Sequence, residues 1–479
     1  PTNLPGWRVV LTATGTADPD LYIQRGSLPS TSSYLKRNVN RPVDTLFLDS
    51  TEATNQTYFI GVLIPNGETG YANYTLATEI AGLVTLSWEP GVSPTPTAVF
   101  TNHSTLGGDY FFKITTQNAL SGVWRTRLDV QSGNSDLFLR QTNLPAPPTY
   151  DYSSVWPGSD GIALVQGGQC QAGQVWYAMV TAAPNAQWTI YSGNLFITPL
   201  PPPASDGSGG TNTVVAPEGM NFYRTTINLN TLAWRLGLSG LTNSIYVRQG
   251  AVAHSFSTAY YQWQQPGQAL LVPPYLKSDT EYFVMVSGTP GQAFTLDSRE
   301  QPILDLGFEG STEVVATDYG YMTYRVAVPA EQIGWQMDLS PVSGSPAMAV
   351  RQAAVANEYV NTAYSDATNS AFETVTLVPP TLTDGSYYLT VYGRPPFTAT
   401  LTSARPEVTD VPYDCAVTNN LPQRQGWRFY RVIDIEAQLA SLGWDLMLDK
   451  FAPGTELAVR RNAVPGRWAS RTNYIQGSA

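Results

Sequence analysis

The segment Trp124-Arg125-Thr126-Arg127-Leu128-Asp129-Val130, followed by the block Asp136-Leu137-Phe138-Leu139-Arg140, decides how this chain is read. Trp124, Thr126, Leu128 and Val130 alternate with charged residues, which is the period-two pattern of a strand with one buried face. The second stretch is a short apolar strand closed by an arginine. The same pair returns at intervals of a little over one hundred residues. Trp7 precedes Asp20-Leu21-Tyr22-Ile23, and Trp234 precedes Ser244-Ile245-Tyr246-Val247-Arg248. Trp335 precedes Ala347-Met348-Ala349-Val350-Arg351, and Trp444 precedes Glu456-Leu457-Ala458-Val459-Arg460. A spacing held over the whole chain predicts one folding unit used in series.

Other strand signals keep the same register. Before the tryptophan stand Phe112-Lys113-Ile114, Tyr223-Arg224-Thr225, Tyr324-Arg325-Val326 and Tyr430-Arg431-Val432. After the block come Tyr58-Phe59-Ile60, Trp176-Tyr177-Ala178, Tyr282-Phe283-Val284 and Tyr387-Tyr388-Leu389, and each repeat closes on an aromatic strand such as Trp188-Thr189-Ile190. Short strands separated by Gly, Pro and Asn turns predict an all-β tandem array of β-sandwich domains. Helical periodicity is confined to Ile433–Leu442. The expected boundaries are 1–80, 81–198, 199–301, 302–405 and 406–479, with Pro199–Gly210 as the clearest linker. The end units read as incomplete. Unit one lacks the strand before its tryptophan, and unit five stops before a Tyr-Tyr strand. The chain starts at Pro1 without a signal peptide, as expected of a processed protein or a window cut from something longer.

Composition narrows the function. Of 479 residues 42% are hydrophobic and only 13% charged, with 27 Tyr and 12 Trp, which supports a core in each unit and the profile of a secreted all-β protein. A net charge of −11 without a basic stripe argues against nucleic acid. No apolar run is long enough to span a membrane as a helix. Cys170 and Cys415 fall in different repeats, too far apart along a string of domains for a disulfide; they read as free or buried thiols, with a cross-link to another chain as the alternative.

The pattern in units one and two resembles the bacterial pre-peptidase C-terminal domain. It is carried by Ala17-Asp18-Pro19-Asp20-Leu21-Tyr22-Ile23, Pro29-Ser30-Thr31-Ser32-Ser33-Tyr34 and Tyr74-Thr75-Leu76, and by Asn134-Ser135-Asp136-Leu137-Phe138. Units three and four keep the apolar frame but have Ser244 and Ala347 at the position of the acid; unit five has Glu456. The resemblance implies a secreted, jelly-roll-like sandwich without catalytic activity of its own, appended to peptidases or strung along surface proteins. Some members bind collagen, chitin or calcium.

Candidate chemistry is sparse. Asp18 and Asp20 flank Pro19 and offer two carboxylates to calcium, which needs six to eight oxygens; turn capping by the aspartate side chains is the competing reading. The repeated tryptophans read as core. Trp156, Trp263 and Trp468 lie in turn-rich segments, where an aromatic either stacks on a sugar or neighbour or packs beneath a loop. His103 and His254 stand in different units, and neither a zinc-protease nor a nucleophile-elbow motif occurs, so no catalytic, cofactor or metal residue is assigned. Asn55, Asn73 and Asn102 open glycosylation sequons.

The expected function is therefore a non-catalytic, extracellular or cell-surface structural and adhesive array, part of a fibre, sheath or surface layer. Its expected partners are copies of itself, head-to-tail or lateral, and a surface polysaccharide or protein. The alternative is a carbohydrate- or protein-binding accessory region of a larger secreted hydrolase.

Overall fold

A computed structural model describes residues 6–39, 43–49, 52, 55–80, 83–105, 107–204, 210–239, 244–365, 372–413, 415–419, 427–433, 445–449, 456–466 and 475–478. The fold is all-β. Among the described residues the sole helical element is a single 3-10 turn, Thr258–Tyr260.

The residues around Trp335 show the architecture in full. Tyr321–Val328 lies between Ile303–Asp305, its parallel neighbour, and Gly385–Tyr392; the sheet continues through Ala347–Gln352 to Ala363–Tyr364. The facing sheet runs Gly310–Ala316, Phe397–Ala404, Trp335–Ser343, Glu373–Leu377. Around Trp234 the order is the same, with Met220–Thr226, Glu281–Ser287 and Ser244–Gln249 in one sheet and Ala293–Glu300, Trp234–Ser239 and Gln268–Leu271 in the other. Around Trp124 it recurs with one addition, a short parallel strand, Trp88–Glu89, beside Ala186–Asn194. The strands around Trp7 form two three-stranded sheets. In the last segment the described strands pair as Val408–Val411 with Phe429–Val432 and Glu456–Val459 with Ile475–Ser478.

The tryptophan is the centre of each complete core, because its strand is flanked on both sides and its face points at the opposite sheet. Trp124, Trp234 and Trp335 are fully buried, in the same clusters as Leu137 and Leu139, Ile245 and Val247, and Met348 and Val350 of their downstream blocks. Each indole lies 5.2–5.6 Å from the first aromatic of the third strand, Trp176, Tyr282 or Tyr387. Each indole N–H donates to a serine hydroxyl on the closing strand, Ser192 at 2.8 Å, Ser298 at 3.0 Å and Ser403 at 2.8 Å. Those serines solve the one problem of burying an indole, its polar N–H.

Two expectations need correction. Trp7 is only partly buried: its ring packs at 5.4 Å on Tyr58, and the described strands here form two three-stranded sheets. The proline-rich stretch after Thr198 is not a free linker over its described part. Thr198–Pro199 pairs in parallel with Tyr223–Arg224, Leu200 is buried, and the carbonyls of Pro201 and Pro203 accept from Thr225 Oγ1 and Asn228 Nδ2. Proline lacks a donor but keeps its carbonyl, so it can edge a sheet that supplies the donors. Trp444, Trp468 and the helical stretch after Ile433 lie outside the described residues.

Candidate functional site: the joints between sandwiches

Alternation along the tryptophan strand turns the next residue to the opposite face, toward the following sandwich. Arg8, Arg125 and Arg235 occupy that position. Arg8 is buried, donates to the Asp109 carbonyl at 3.0 Å, lies 4.0 Å over the Tyr110 ring and pairs with Glu79 at 2.5 Å. Arg125 faces Glu218 at 3.5 Å and Tyr191 at 5.3 Å. Arg235 lies 4.7 Å from the Tyr319 ring and binds Asp297 at 3.0 Å. Arginine suits this place because its planar cation both stacks and donates.

The arginines that close the apolar blocks reach the other way. Arg351 donates to the Pro273 carbonyl and Arg460 to the Pro379 carbonyl, each in the preceding sandwich. Arg140, Arg248 and Arg460 also donate to the carbonyl four residues on, at 3.3–3.4 Å, bracing their own loops. The arginine that closes the block was visible as a pattern; its role across the joint was not, because it depends on which faces meet.

The second and third joints differ in chemistry. At the second, Val123, Ala163, Leu195, Phe222, Val252, Ala253 and Met285 form an apolar cluster. His254 is buried against it; its Nδ1 accepts from the Phe256 N–H at 3.0 Å. Nε2 has no partner in hydrogen-bond geometry, although it lies close enough to the Ala163 carbonyl to be favoured as a cation. Burial dominates and pushes the imidazole down to about 4. At the third joint Asn357 stands in place of His254: its amide donates to the Leu270 carbonyl at 2.8 Å and accepts from Tyr359 and Val360 N–H at 3.0 and 2.7 Å. Gln268 spans this joint, accepting from Gly320 N–H at 2.8 Å and donating to the Gly393 carbonyl at 3.1 Å. Glu358, raised by burial, accepts from Tyr321 at 2.7 Å and Gln265 at 3.2 Å.

The second joint carries an open groove of about 480 Å³, lined by Trp156 from one sandwich and by Pro217, Thr289 and Pro290 from the next. Trp156 is 44% exposed. Its backbone N–H donates to Asp160 Oδ1 at 2.9 Å, and the Ser154 hydroxyl donates to the same oxygen at 2.7 Å. Burial raises Asp160 to about 6. Glu218 is among the lining residues, its side chain 1% exposed and its Oε2 without a hydrogen-bond partner.

The other singled-out residues lie apart. Asp20 is buried and accepts from Tyr22 Oη at 3.3 Å, and Asp44 accepts from the Leu21 N–H at 3.1 Å. Among the described residues no three His, Cys, Asp or Glu side chains come together as a metal site. Trp263, in contrast to Trp156, is 7% exposed and packs on Tyr275 and Tyr359. Cys170 is buried, with its thiol pushed up to about 11, and Cys415 is exposed; both are free. His103 is exposed on Val99–Ser104. Asn55 and Asn73 are exposed and Asn102 is half-buried. No helix among the described residues is long and apolar enough to cross a membrane.

No protein-family model matches the chain, and no curated protein matches it. Among solved structures it is similar to the pre-peptidase C-terminal domain of a collagenase from Bacillus anthracis, at 15% identity over 22% of this chain and 97% of that one, TM-score 0.19. It is also similar to tripeptidyl peptidase 2, at 11% identity over 83% of this chain, TM-score 0.14; the match spans 29% of that protein. A third similarity is to a triple jelly-roll protein of an archaeal virus turret, at 10% identity over 69% of this chain and 86% of that one, TM-score 0.15.

Proposed function

We propose that this chain is a non-catalytic structural and adhesive segment of an extracellular array, a run of sandwiches of the pre-peptidase C-terminal kind bounded near residues 80, 198, 301 and 405. Its place is in a fibre, sheath or surface layer, and its main partners are copies of itself. The observation that carries this reading is the recurring joint. Arg8, Arg125 and Arg235 extend from one strand position into the next sandwich, and Arg351 and Arg460 reach back from another. Neighbours joined by buried polar groups and apolar clusters resist bending, which suits a load-bearing array more than a flexible tether.

Small-angle scattering and electron micrographs of the purified 52.1 kDa chain over a concentration series test it. The expected result is a stiff particle that associates end-to-end or side-by-side as concentration rises. A particle that bends freely at its joints and stays monomeric throughout, or hydrolytic turnover by this chain, would overturn it.

A further inference from the structure

The groove at the second joint has a specific origin. On the strand paired with each tryptophan strand, Thr45, Gly161 and Gln268 occupy the same register, three residues before the partner of the tryptophan. Thr45 and Gln268 both reach across their joints: Thr45 Oγ1 accepts from Asp109 N–H at 3.0 Å, and Gln268 bonds Gly320 and Gly393. Gly161 has no side chain to do this. The glycines matching Gly320 and Gly393 are Gly219 and Gly288, paired by the same backbone bond at 2.9 Å, and both line the groove. A Cβ on Gly161 would meet Glu218 Oε2 at 2.8 Å and Glu218 N at 2.9 Å, so Glu218 holds this position to glycine. Where the third joint carries Gln268 across the seam, the second has Gly161 packed against Glu218, and its groove lies beside the exposed indole of Trp156, whereas Trp263 at the third joint is covered by Tyr359.

We infer that this groove binds a neutral polysaccharide chain, with Trp156 as its stacking platform. An exposed indole held in place through its own backbone presents a flat apolar face, which matches the C–H face of a pyranose with equatorial hydroxyls. Ser153, Ser287 and Thr289 line the groove and supply hydroxyls for a sugar chain. Few-rotamer aromatics and short hydroxyl side chains lose little entropy on binding. Arg125 already matches the Glu218 carboxylate, so the groove offers no free cation among the described residues, and the chain's net charge of −11 selects against uronic or sulfated sugars. The groove is open to solvent, which fits a chain lying in it better than an enclosed small molecule. This inference does not depend on the array reading, since the groove belongs to one joint.

The test titrates the full chain with cellohexaose, xylohexaose and mannohexaose, and separately with a decaproline peptide, following tryptophan emission and heat. At least one hexasaccharide is expected to bind saturably. Trp156→Ala should weaken it about tenfold or more, and Trp156→Tyr should restore most of the loss. Unfolding scans of both variants show that the sandwich is intact. Absence of saturable binding by all three sugars at their solubility limits overturns the inference. So does unchanged affinity in a folded Trp156→Ala chain, or binding of decaproline alone.

Discussion

The second and third joints solve one problem with different chemistry. Both must bury the seam between two sandwiches without stranding polar groups. The third does so with a network: Gln268, Asn357, Tyr319 and Glu358 satisfy backbone and side-chain groups across the seam. The second relies on an apolar cluster, a buried neutral histidine and an arginine–glutamate contact, and leaves a groove open. At equivalent positions Gln268 faces Gly161, Asn357 faces His254, and Tyr319 faces Glu218. Identical strand topology therefore does not dictate the joint. Three positions decide whether it is a seam closed by a hydrogen-bonded network or one that holds a buried histidine and leaves a groove.

The comparison assumes that the sandwich cores are alike, and truncating the tryptophans tests this with the largest effect. Trp124→Ala, Trp234→Ala and Trp335→Ala should each cost about 3–5 kcal/mol in their own sandwich, since each loses a buried indole and its hydrogen bond to a serine. Hydrogen exchange resolved by sandwich measures this. Widely unequal costs would mean that the difference lies in the cores rather than the joints.

Next in size is Gln268→Ala. It should loosen the third joint by about 2–4 kcal/mol, because the Gly320 N–H and Gly393 carbonyl lose their partner in a buried place. Faster exchange at Gly320 with an unchanged second joint is the expected signature. Protection retained at Gly320 would show that the network contributes little.

The two joints should also part with pH. His254 titrates near 4 when folded and about 6.5 when unfolded. The unfolded state therefore binds more protons in that window, and the histidine's contribution to stability falls as pH drops from about 6.5 toward 4. Asp160, raised to about 6, contributes with the opposite sign over the window below it. The difference between the native chain and His254→Asn isolates the histidine, and it should grow by about 2 kcal/mol in favour of asparagine from pH 7 to pH 5. Glu358 is raised, so the third joint loses its contribution as pH rises, not as it falls. A pH-independent His254→Asn difference would remove the distinction.

The smallest effect is expected at Trp156. Being 44% exposed, Trp156→Ala should change stability by about 0.5–1 kcal/mol or less, whereas Trp263→Ala, 7% exposed, should cost several times more. Similar melting shifts for the two would mean that Trp156 is a packing residue and the groove wall a structural one.

Much of this molecule was legible in one dimension. Period-two alternation and the return of the tryptophan, the Tyr-Arg run and the apolar block determined the all-β class and the order of strands, because a strand's buried face is written in its own residues. The burial of Trp124, Trp234 and Trp335 follows from the same signal. What the sequence did not contain is partnership across faces. The serines that take the indole N–H lie more than sixty residues away, and the proline stretch reads as linker until its carbonyls find donors on another strand. Trp156 and Trp263 sit in similar turn-rich surroundings, yet one is exposed and the other covered by Tyr275 and Tyr359. Likewise Gly161 is an ordinary strand glycine until the neighbouring sandwich sets Gln268 as its counterpart. Local pattern fixes which face is buried; only the packing of one sandwich on the next decides what that face meets, and with it where a groove stays open.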